Sequence, residues 1–290
     1  MKKTLGYRIN IILFLLPALF LFVSVLIAPI ALNIEYSLHN WKGLNKLEFI
    51  WFKNYIDLFT KPIYNVGKTI TNALLLAGLS TFIQLPFALW LALKLAKKIR
   101  GERAFVSIYF MPVMISTVVI GMLWKNIFNE NMAISQILKS LGVLDKPLLA
   151  DKKLAIWAVF VPTLWQYVGY HMLLMYAAIK SVPPELSEAG MLDGCTEGQL
   201  NRHIIIPYIK PILRVSVIFA VTGSLKSYDL IAIMIGDSPR SAWVPSVLMF
   251  NQLFKAGAYG RGSAIAVMLI LMCFAFAILI NQVFKGDDAL

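Results

Sequence analysis

Long apolar stretches, separated by shorter polar ones, make up most of this chain. Six of them are long enough for an α-helix to cross the roughly 30 Å of hydrocarbon in a bilayer. The helices that they predict are 11–32, 69–93, 104–128, 154–179, 212–235 and 262–284. The fifth is interrupted by Arg214, Lys226 and Asp229. The pattern predicts an all-α integral membrane protein, a single domain over 1–290 with both termini on one side of the membrane.

The first apolar stretch resembles a signal peptide, because Lys2, Lys3 and Arg8 precede it. It is longer than the roughly 7–15 residues of a signal-peptide h-region, and no cleavage site of A-x-A type follows. We therefore interpret it as a membrane helix that is retained.

The most informative polar stretch is residues 181–211, SVPPELSEAGMLDGCTEGQLNRHIIIPYIKP, which we call the polar segment. Two prolines end the preceding helix, and the second, Pro184, suits the first turn of a new one. The Asp-Gly pair at 193–194 predicts a turn. Thr196 predicts the N-cap of a second short helix that ends before Pro207. A rigid helix-turn-helix at the membrane surface follows, in a position where a partner outside the membrane can bind it.

The spacing within the polar segment resembles the EAA motif of ABC-importer permeases, E-A-A-x3-G-x9-I-x-L-P. Counted from Glu188, the family's glycine, isoleucine and proline fall at Gly194, Ile204 and Pro207. Gly190 replaces the second alanine and an isoleucine replaces the leucine, so both positions stay small or aliphatic. An ordinary amphipathic loop would explain the polarity of the segment but not this spacing.

The resemblance implies that the polar segment is a coupling loop, whose first helix sits in a groove of a cytoplasmic ATPase. Acidic residues early in that helix also complement the positive end of its dipole. The residues that we assign to ATPase coupling are Glu185, Glu188, Ala189, Gly190, Asp193, Gly194, Ile204 and Pro207.

Other parts of the chain resemble one group of ABC-importer permeases, those that transport sugars. Residues 49–55, FIWFKNY, resemble the F-x-G-L-x-N-Y segment of sugar-importer permeases, although the usual glycine is missing. The stretch 165–170, and Tyr228-Asp229 followed by Pro239, also fit. The resemblance is closest to the MalF-like half of carbohydrate importers, and it implies the type I ABC importer permease fold with six transmembrane helices.

The same resemblance implies a set of partners. They are a second, related permease in a heterodimer, two cytoplasmic ABC ATPases, an extracytoplasmic solute-binding protein and a sugar substrate. The implied location is a bacterial or archaeal cell membrane.

Composition supports the membrane class. Hydrophobic residues make up 59% of the chain and charged residues 14%, with a mean hydropathy of +0.73, whereas soluble domains are roughly 25% charged. The net charge is +12, but no aromatic-basic groove accompanies it that would indicate nucleic-acid binding. We assign most of the lysines to the lipid interface.

Charge density indicates the orientation. The connector between the second and third stretches, residues 96–103, is short and contains Lys97, Lys98, Arg100 and Arg103. Short loops dense in lysine and arginine face the cytoplasm. We therefore expect the connector, the polar segment and both termini to be cytoplasmic.

No cofactor site is expected in this chain. The GKT sequence at 67–69 resembles the end of a P-loop, but Pro62 stands where the first glycine is required, so ATP and Mg are expected on the partner ATPase. The three histidines show no metal-ligand spacing, and Cys195 and Cys273 are expected to be free thiols. Neither catalytic residues nor a metal site is predicted, and a membrane-embedded enzyme is disfavoured.

Polar residues inside membrane helices are costly and usually face a cavity or another helix. On the fourth predicted helix they recur at i, i+3, i+4 and i+7, which places them on one face. Hydroxyls, amides and phenols suit a sugar without adding net charge, and the resemblance points to most of the same positions. Helix-to-helix hydrogen bonding is the alternative role. The candidate pathway residues are Thr163, Gln166, Tyr167, Tyr170, Ser224, Ser227 and Tyr228.

Lys226 and Asp229 stand apart, because they are charged and lie at i, i+3 in the fifth predicted helix. We expect a structural pair that is neutralised on one helix face. A proton or ion relay, and with it a secondary transporter, is the alternative, although the polar segment has no use in such a protein. A polyol phosphate is the alternative substrate to a sugar.

Overall fold

The computed structural model describes residues 2–43, 47–97, 99–143 and 146–285, with the backbone alone at 2–11 and 285. Lys98, used above for orientation, lies outside these ranges. The α-helices within them are, in chain order, α1 Lys2–Phe22, α2 Ala28–Ser37, α3 Lys53–Thr60, α4 Val66–Leu79, α5 Leu85–Leu95, α6 Glu102–Met114, α7 Thr117–Ile127, α8 Ala133–Ser140, α9 Ala155–Lys180, α10 Pro184–Leu192, α11 Glu197–Leu200, α12 Ile206–Tyr208, α13 Lys210–Leu225, α14 Asp229–Ile235, α15 Pro245–Phe250 and α16 Tyr259–Lys285.

Shorter elements join some of these helices. Two strands, β1 His39–Asn40 and β2 Glu48–Phe49, pair antiparallel. The π-helical turns are Val23–Ile27, Ser80–Gln84, Asn201–Ile205 and Asn251–Lys255, and the 3₁₀ turns are Leu148–Ala150 and Arg240–Ala242.

Within the described residues, four helical stretches are long and apolar enough to cross a membrane. They are Ile12–Ser37, Val66–Leu95, Lys210–Ile235 and Tyr259–Phe284. The bent pair α6 and α7 makes a fifth if it is one span. Helix α9 has 26 residues but is not among the four, and it carries the polar residues proposed for the pathway. The described helices therefore support a multi-pass membrane protein, and six crossings remain a prediction.

Two of the six predicted helices are not continuous, and these predictions were wrong in that respect. The stretch 104–128 bends by 92° between α6 and α7, because Ile115 and Ser116 adopt extended backbone conformations. Ser116 is the N-cap of α7, and N-cap residues lie outside helical φ/ψ space. The stretch 212–235 is broken between Leu225 and Asp229.

The chain forms two compact units, of which the first is Met1–Asn65 with Leu248–Ile270. Within it, the Asn54 amide donates to the carbonyl oxygens of Ser37 and His39 at 2.8 and 2.9 Å. The Tyr55 hydroxyl donates to the Ser37 hydroxyl at 2.8 Å. The N-Y end of the segment that resembles sugar permeases therefore holds the end of α2 and the strand β1 in place.

The second unit is Val66–Val247 with Leu271–Leu290. A buried cluster joins α5 to α9, with Ala88 and Ala92 of α5 and Met172 and Met175 of α9 almost fully buried. The small residues let the two backbones approach closely, as is common between membrane helices.

Candidate functional site

The second unit contains a cavity of about 400 Å³, which we call the central cavity. Its wall comes from α4, the π-helical turn Ser80–Gln84, α6, α7, α9, α13 and α14. The wall includes all seven residues that the sequence assigned to a substrate pathway, namely Thr163, Gln166, Tyr167, Tyr170, Ser224, Ser227 and Tyr228.

Helix α9 supplies four of these seven residues, and its start and geometry are locally encoded. The Asp151 carboxylate accepts hydrogen bonds from the backbone N–H groups of Lys153 and Leu154 at 2.7 and 2.8 Å. These bonds hold the pKa of Asp151 below its usual value, because they favour the charged form. From this anchor the helix runs without a break through its 26 residues, so the i, i+3, i+4 and i+7 positions stay on one face.

Two polar atoms on the wall of the central cavity are unusual. Among the described residues, neither Gln166 Oε1 nor His171 Nδ1 has a hydrogen-bond partner, although the two side chains are only 2% and 4% exposed. The Gln166 amide nitrogen is engaged, since it donates to the Thr117 hydroxyl at 3.3 Å. Burying a polar atom without a partner costs free energy, and both residues belong to the wall of the central cavity.

The break between α13 and α14 forms another part of the wall. The Ser224 hydroxyl donates to the Ala220 carbonyl at 2.7 Å within α13, and the Ser246 hydroxyl donates to the carbonyl of Ser227 inside the break. A short non-helical backbone lining a cavity is tolerated at membrane depth. The break thus brings Ser227 and Tyr228 to the cavity from outside any helix.

The expected neutral pair of Lys226 and Asp229 is not formed. In the described part of the chain, the ion pairs within 4 Å do not include these two residues. The i, i+3 rule needs a continuous helix, and the break lies between them. Both side chains are instead exposed and line the central cavity, so the cavity contains one cation and one anion that the sequence interpretation had left out of the pathway.

Sequence reasoning missed several other polar residues of the central cavity. They are Ser80, Gln84, Thr117 and His171. Gln84 also ties its own segment to α9, because its amide donates to the Leu164 carbonyl at 2.7 Å. The signal was available for Gln84 and His171, since polar side chains within membrane-length stretches are costly and call for an explanation.

The polar segment has the predicted helix-turn-helix form. Helix α10 ends in a Schellman motif, in which the Gly194 N–H bonds the Met191 carbonyl and the Cys195 N–H bonds the Gly190 carbonyl, both at 3.0 Å. Gly194 has φ +81°, a left-handed conformation that favours glycine. Thr196 caps α11, as predicted, in a capping box with Gln199.

The second short helix, α11, ends at Leu200, before Pro207 as predicted, but the chain does not leave helical conformation there. Helical backbone continues from α11 through the π-helical turn Asn201–Ile205 into α12, which contains Pro207 in its first turn. A proline in the first turn of a helix costs little, because its missing N–H would have no intrahelical partner there.

The motif residues of the polar segment divide into an inner and an outer group. Gly190 is buried against Ile204, whose Cδ1 would lie 2.8 Å from a Cβ at position 190. The spacing between these two motif positions therefore brings α10 against the turn that follows α11. The outer, exposed group is Glu185, Glu188, Ala189, Asp193, Gly194 and Pro207.

Three exposed apolar residues that are not part of the motif lie beside the outer group. Leu186 is 43%, Met191 58% and Leu192 89% exposed. Exposed leucine and methionine on a short surface helix flanked by acidic residues are typical of a protein-binding surface.

A mainly helical, multi-pass membrane protein with a polar central cavity and a protruding helix-turn-helix has the architecture of a transport permease. Residues 84–285 match the family described as the binding-protein-dependent transport system inner membrane component, and the chain belongs to that family. It is therefore an ABC transporter permease, a transport protein and not an enzyme.

Individual relatives cover nearly the whole chain. A probable ABC transporter permease protein of Pyrococcus horikoshii is 32% identical over 96% of this chain and 97% of its own length. The trehalose/maltose transport system permease protein MalF of Thermococcus litoralis is 25% identical over 99% and 96%. A bacterial alginate ABC transporter, solved in complex with an alginate pentasaccharide-bound periplasmic protein, has the same fold, with a TM-score of 0.78, 20% identity, and coverage of 97% and 96%.

Proposed function

We propose that this chain is one permease subunit of an ATP-driven, binding-protein-dependent importer of a sugar or oligosaccharide. It forms half of the translocation pathway and couples that pathway to an ATPase. The observation that carries the proposal is the meeting of hydroxyl, amide and phenol side chains from α9, α13 and the break around one cavity.

The chemistry of the central cavity suits a saccharide. The wall offers amide, imidazole and hydroxyl groups that can hydrogen-bond substrate hydroxyls, and the tyrosines offer rings that can stack on the faces of a sugar. A few convergent polar groups in an otherwise apolar cavity are typical of small-molecule sites. The names of the trehalose/maltose and alginate relatives support the same substrate class.

The polar segment supports the coupling role. Its outer group and the exposed Leu186, Met191 and Leu192 form the surface that we assign to a cytoplasmic ATPase, while Gly190 and Ile204 hold α10 in position. Two such ATPases would bind ATP and Mg, a second permease would complete the pathway through six-helix halves, and an extracytoplasmic binding protein would deliver substrate. The connector, the polar segment and both termini are then cytoplasmic, in a bacterial or archaeal cell membrane.

A polyol phosphate is the second candidate substrate, and Lys226 is the observation that favours it. A lysine on the cavity wall can pair with a phosphate. Asp229 on the same wall opposes this reading, because its carboxylate repels an anion. Uptake of a radiolabelled neutral oligosaccharide, with glycerol phosphate and unlabelled sugar as competitors, distinguishes the two substrates.

We expect Gln166→Leu and Ser227→Leu to impair uptake in proteoliposomes that contain the complete complex and its binding protein. Each removes hydrogen-bonding atoms from the cavity wall, and Ser227→Leu also fills space. Loss of one hydrogen bond, at about 1 kcal/mol, corresponds to a several-fold lower uptake rate. Ser227→Leu, which adds bulk, should block uptake. Binding of the ATPase should be unchanged.

Thr222→Leu is the matched control, because Thr222 lies in α13 two residues from Ser224 and is not among the described residues that line the central cavity. Its hydroxyl donates to the Ile218 carbonyl in its own helix. If both cavity variants transport at the rate of the control, the pathway assignment is wrong.

A further inference from the structure

The connector contacts the polar segment at one of its ends and the helix that leads into that segment at the other. At one end of the connector, the Lys97 ammonium donates a hydrogen bond to the Glu197 carboxylate in the first turn of α11. At the other end, Glu102, the first residue of α6, contacts the last turns of α9 directly before the polar segment begins. None of these contacts was anticipated from the sequence.

Glu102 makes the stronger set of contacts. Its carboxylate accepts a hydrogen bond from the Tyr176 hydroxyl and lies 2.8 Å from Lys180 Nζ. Tyr176 and Lys180 are one helical turn apart on α9, and the ammonium also lies 5.5 Å from the centre of the Tyr176 ring. The Glu102 and Lys180 side chains are 18% and 30% exposed, so the pair is shielded from water more than an ordinary surface ion pair.

The Lys97–Glu197 contact is more exposed, at 32% and 59% for the two side chains. The hydrogen bond from Lys97 and the charge of its ammonium hold the pKa of Glu197 below its usual value. An exposed pair of this kind contributes little to stability by itself. Its significance is positional, because it tethers α11 to the connector.

The polar segment packs against α5 and α9 through Val182, Ile205 and Ile209, but a space remains beside these contacts. A second cavity, of about 440 Å³, lies between the end of α5, the end of α9 and the polar segment, and Ala96, Val182 and Met191 are among the residues that line it. Lys97 and Glu197 also line this cavity, so their contact joins the connector to α11 beside the space.

Glu102 also stands at the start of the helix that reaches the central cavity. Helix α6 runs from Glu102 to Met114, and its Val113 lines the central cavity beside Thr117 of α7. Helix α6 therefore connects the end of α9, through an ion pair and a hydrogen bond at its first residue, to the wall of the central cavity.

We propose that Lys97 and Glu102 tie the polar segment and the end of α9 to the connector, and that Glu102 is the positioning residue that transmits movement of the polar segment, through Tyr176 and Lys180, to the wall of the central cavity. This inference rests on the proposed coupling function of the polar segment. It adds a set of contacts within the permease by which movement of the ATPase, driven by ATP hydrolysis, changes the wall of the central cavity.

The test measures substrate transported per ATP hydrolysed in proteoliposomes that contain the complete complex and its binding protein. We expect Glu102→Ala to lower this ratio about fivefold, consistent with the loss of a hydrogen-bonded charge pair, while the complex still assembles. Tyr176→Phe, which removes only the hydroxyl, should lower it less. The charge exchange of Glu102→Lys with Lys180→Glu should restore much of the ratio, because it forms the ion pair again with the charges reversed.

Asp57→Ala is the matched control, because it removes another ion pair, between Asp57 of α3 and Lys61 directly after that helix, at 2.7 Å, and should leave the ratio unchanged. If Glu102→Ala does not assemble, Tyr176→Phe and the charge exchange decide the question. The proposal is overturned if Tyr176→Phe leaves the ratio unchanged and the charge exchange does not restore it. Failure of the coupling function itself would look different, because the unmodified complex would then neither bind an ATPase nor transport.

Discussion

Replacing Gly169 by valine should prevent the second unit from folding. A Cβ at this position would lie 1.9 Å from the carbonyl oxygen of Tyr109 and 2.9 Å from the Cα of Phe110. Both are backbone atoms of α6, so no side-chain rotation relieves the clash, and α6 and α9 must move apart. Overpacking of this kind costs about 1–3 kcal/mol or more. We expect little or no folded protein by size-exclusion chromatography in detergent and by thermal unfolding.

Even Gly169→Ala should lower the thermal midpoint clearly, because the clash begins at the Cβ atom. Gly78→Ala is the matched control, since Gly78 lies in the membrane helix α4 and a Cβ there meets nothing within 4 Å. Equal stability of the two alanine variants would show that α6 and α9 do not approach each other as described.

Replacing Gly194 by leucine should uncouple ATP hydrolysis from transport or cause the ATPase to dissociate from the permease. Gly194 has φ +81°, and a residue with a Cβ costs about 1–2 kcal/mol in the left-handed region. Among the described residues, a Cβ at Gly194 meets no atom within 4 Å, so the leucine strains the turn and projects outward without disturbing the membrane helices that the structure describes. Co-purification of the ATPase and the ratio of transport to hydrolysis measure the effect.

Gly198→Leu provides the comparison for Gly194→Leu. Gly198 lies four residues further on, in α11, with open space at its Cβ and no positive φ. The Gly198→Leu complex should therefore transport more substrate per ATP hydrolysed than the Gly194→Leu complex. Normal ATPase association and transport in Gly194→Leu would refute the coupling assignment, and equal losses in both variants would refute the role of the turn.

The sequence predicted much of the candidate site because local periodicity encodes which residues share a face. The spacing of Thr163, Gln166, Tyr167 and Tyr170 needs only an unbroken helix, and α9 is unbroken. The turn at Gly194 follows equally from short-range chemistry, since glycine alone enters the left-handed region without a steric cost.

Local rules failed where the helices are interrupted. The bend at Ile115 and Ser116 lies within an apolar stretch that continues on both sides. Hydropathy therefore predicts one helix over the whole stretch. The break between Leu225 and Asp229 has the same origin, and with it the expected Lys226–Asp229 pair was lost.

The sequence by itself determined that this protein is a helical membrane permease, which faces of its helices are polar, and where the polar segment turns, because these follow from hydropathy, periodicity and the backbone preferences of single residues. Only the tertiary structure decided that His171 and Thr117 join the same cavity, that α6 meets α9 at Gly169, and that Glu102 reaches Lys180. These contacts join residues far apart in the chain, and no local spacing specifies which helices become neighbours or where a helix must break to pack.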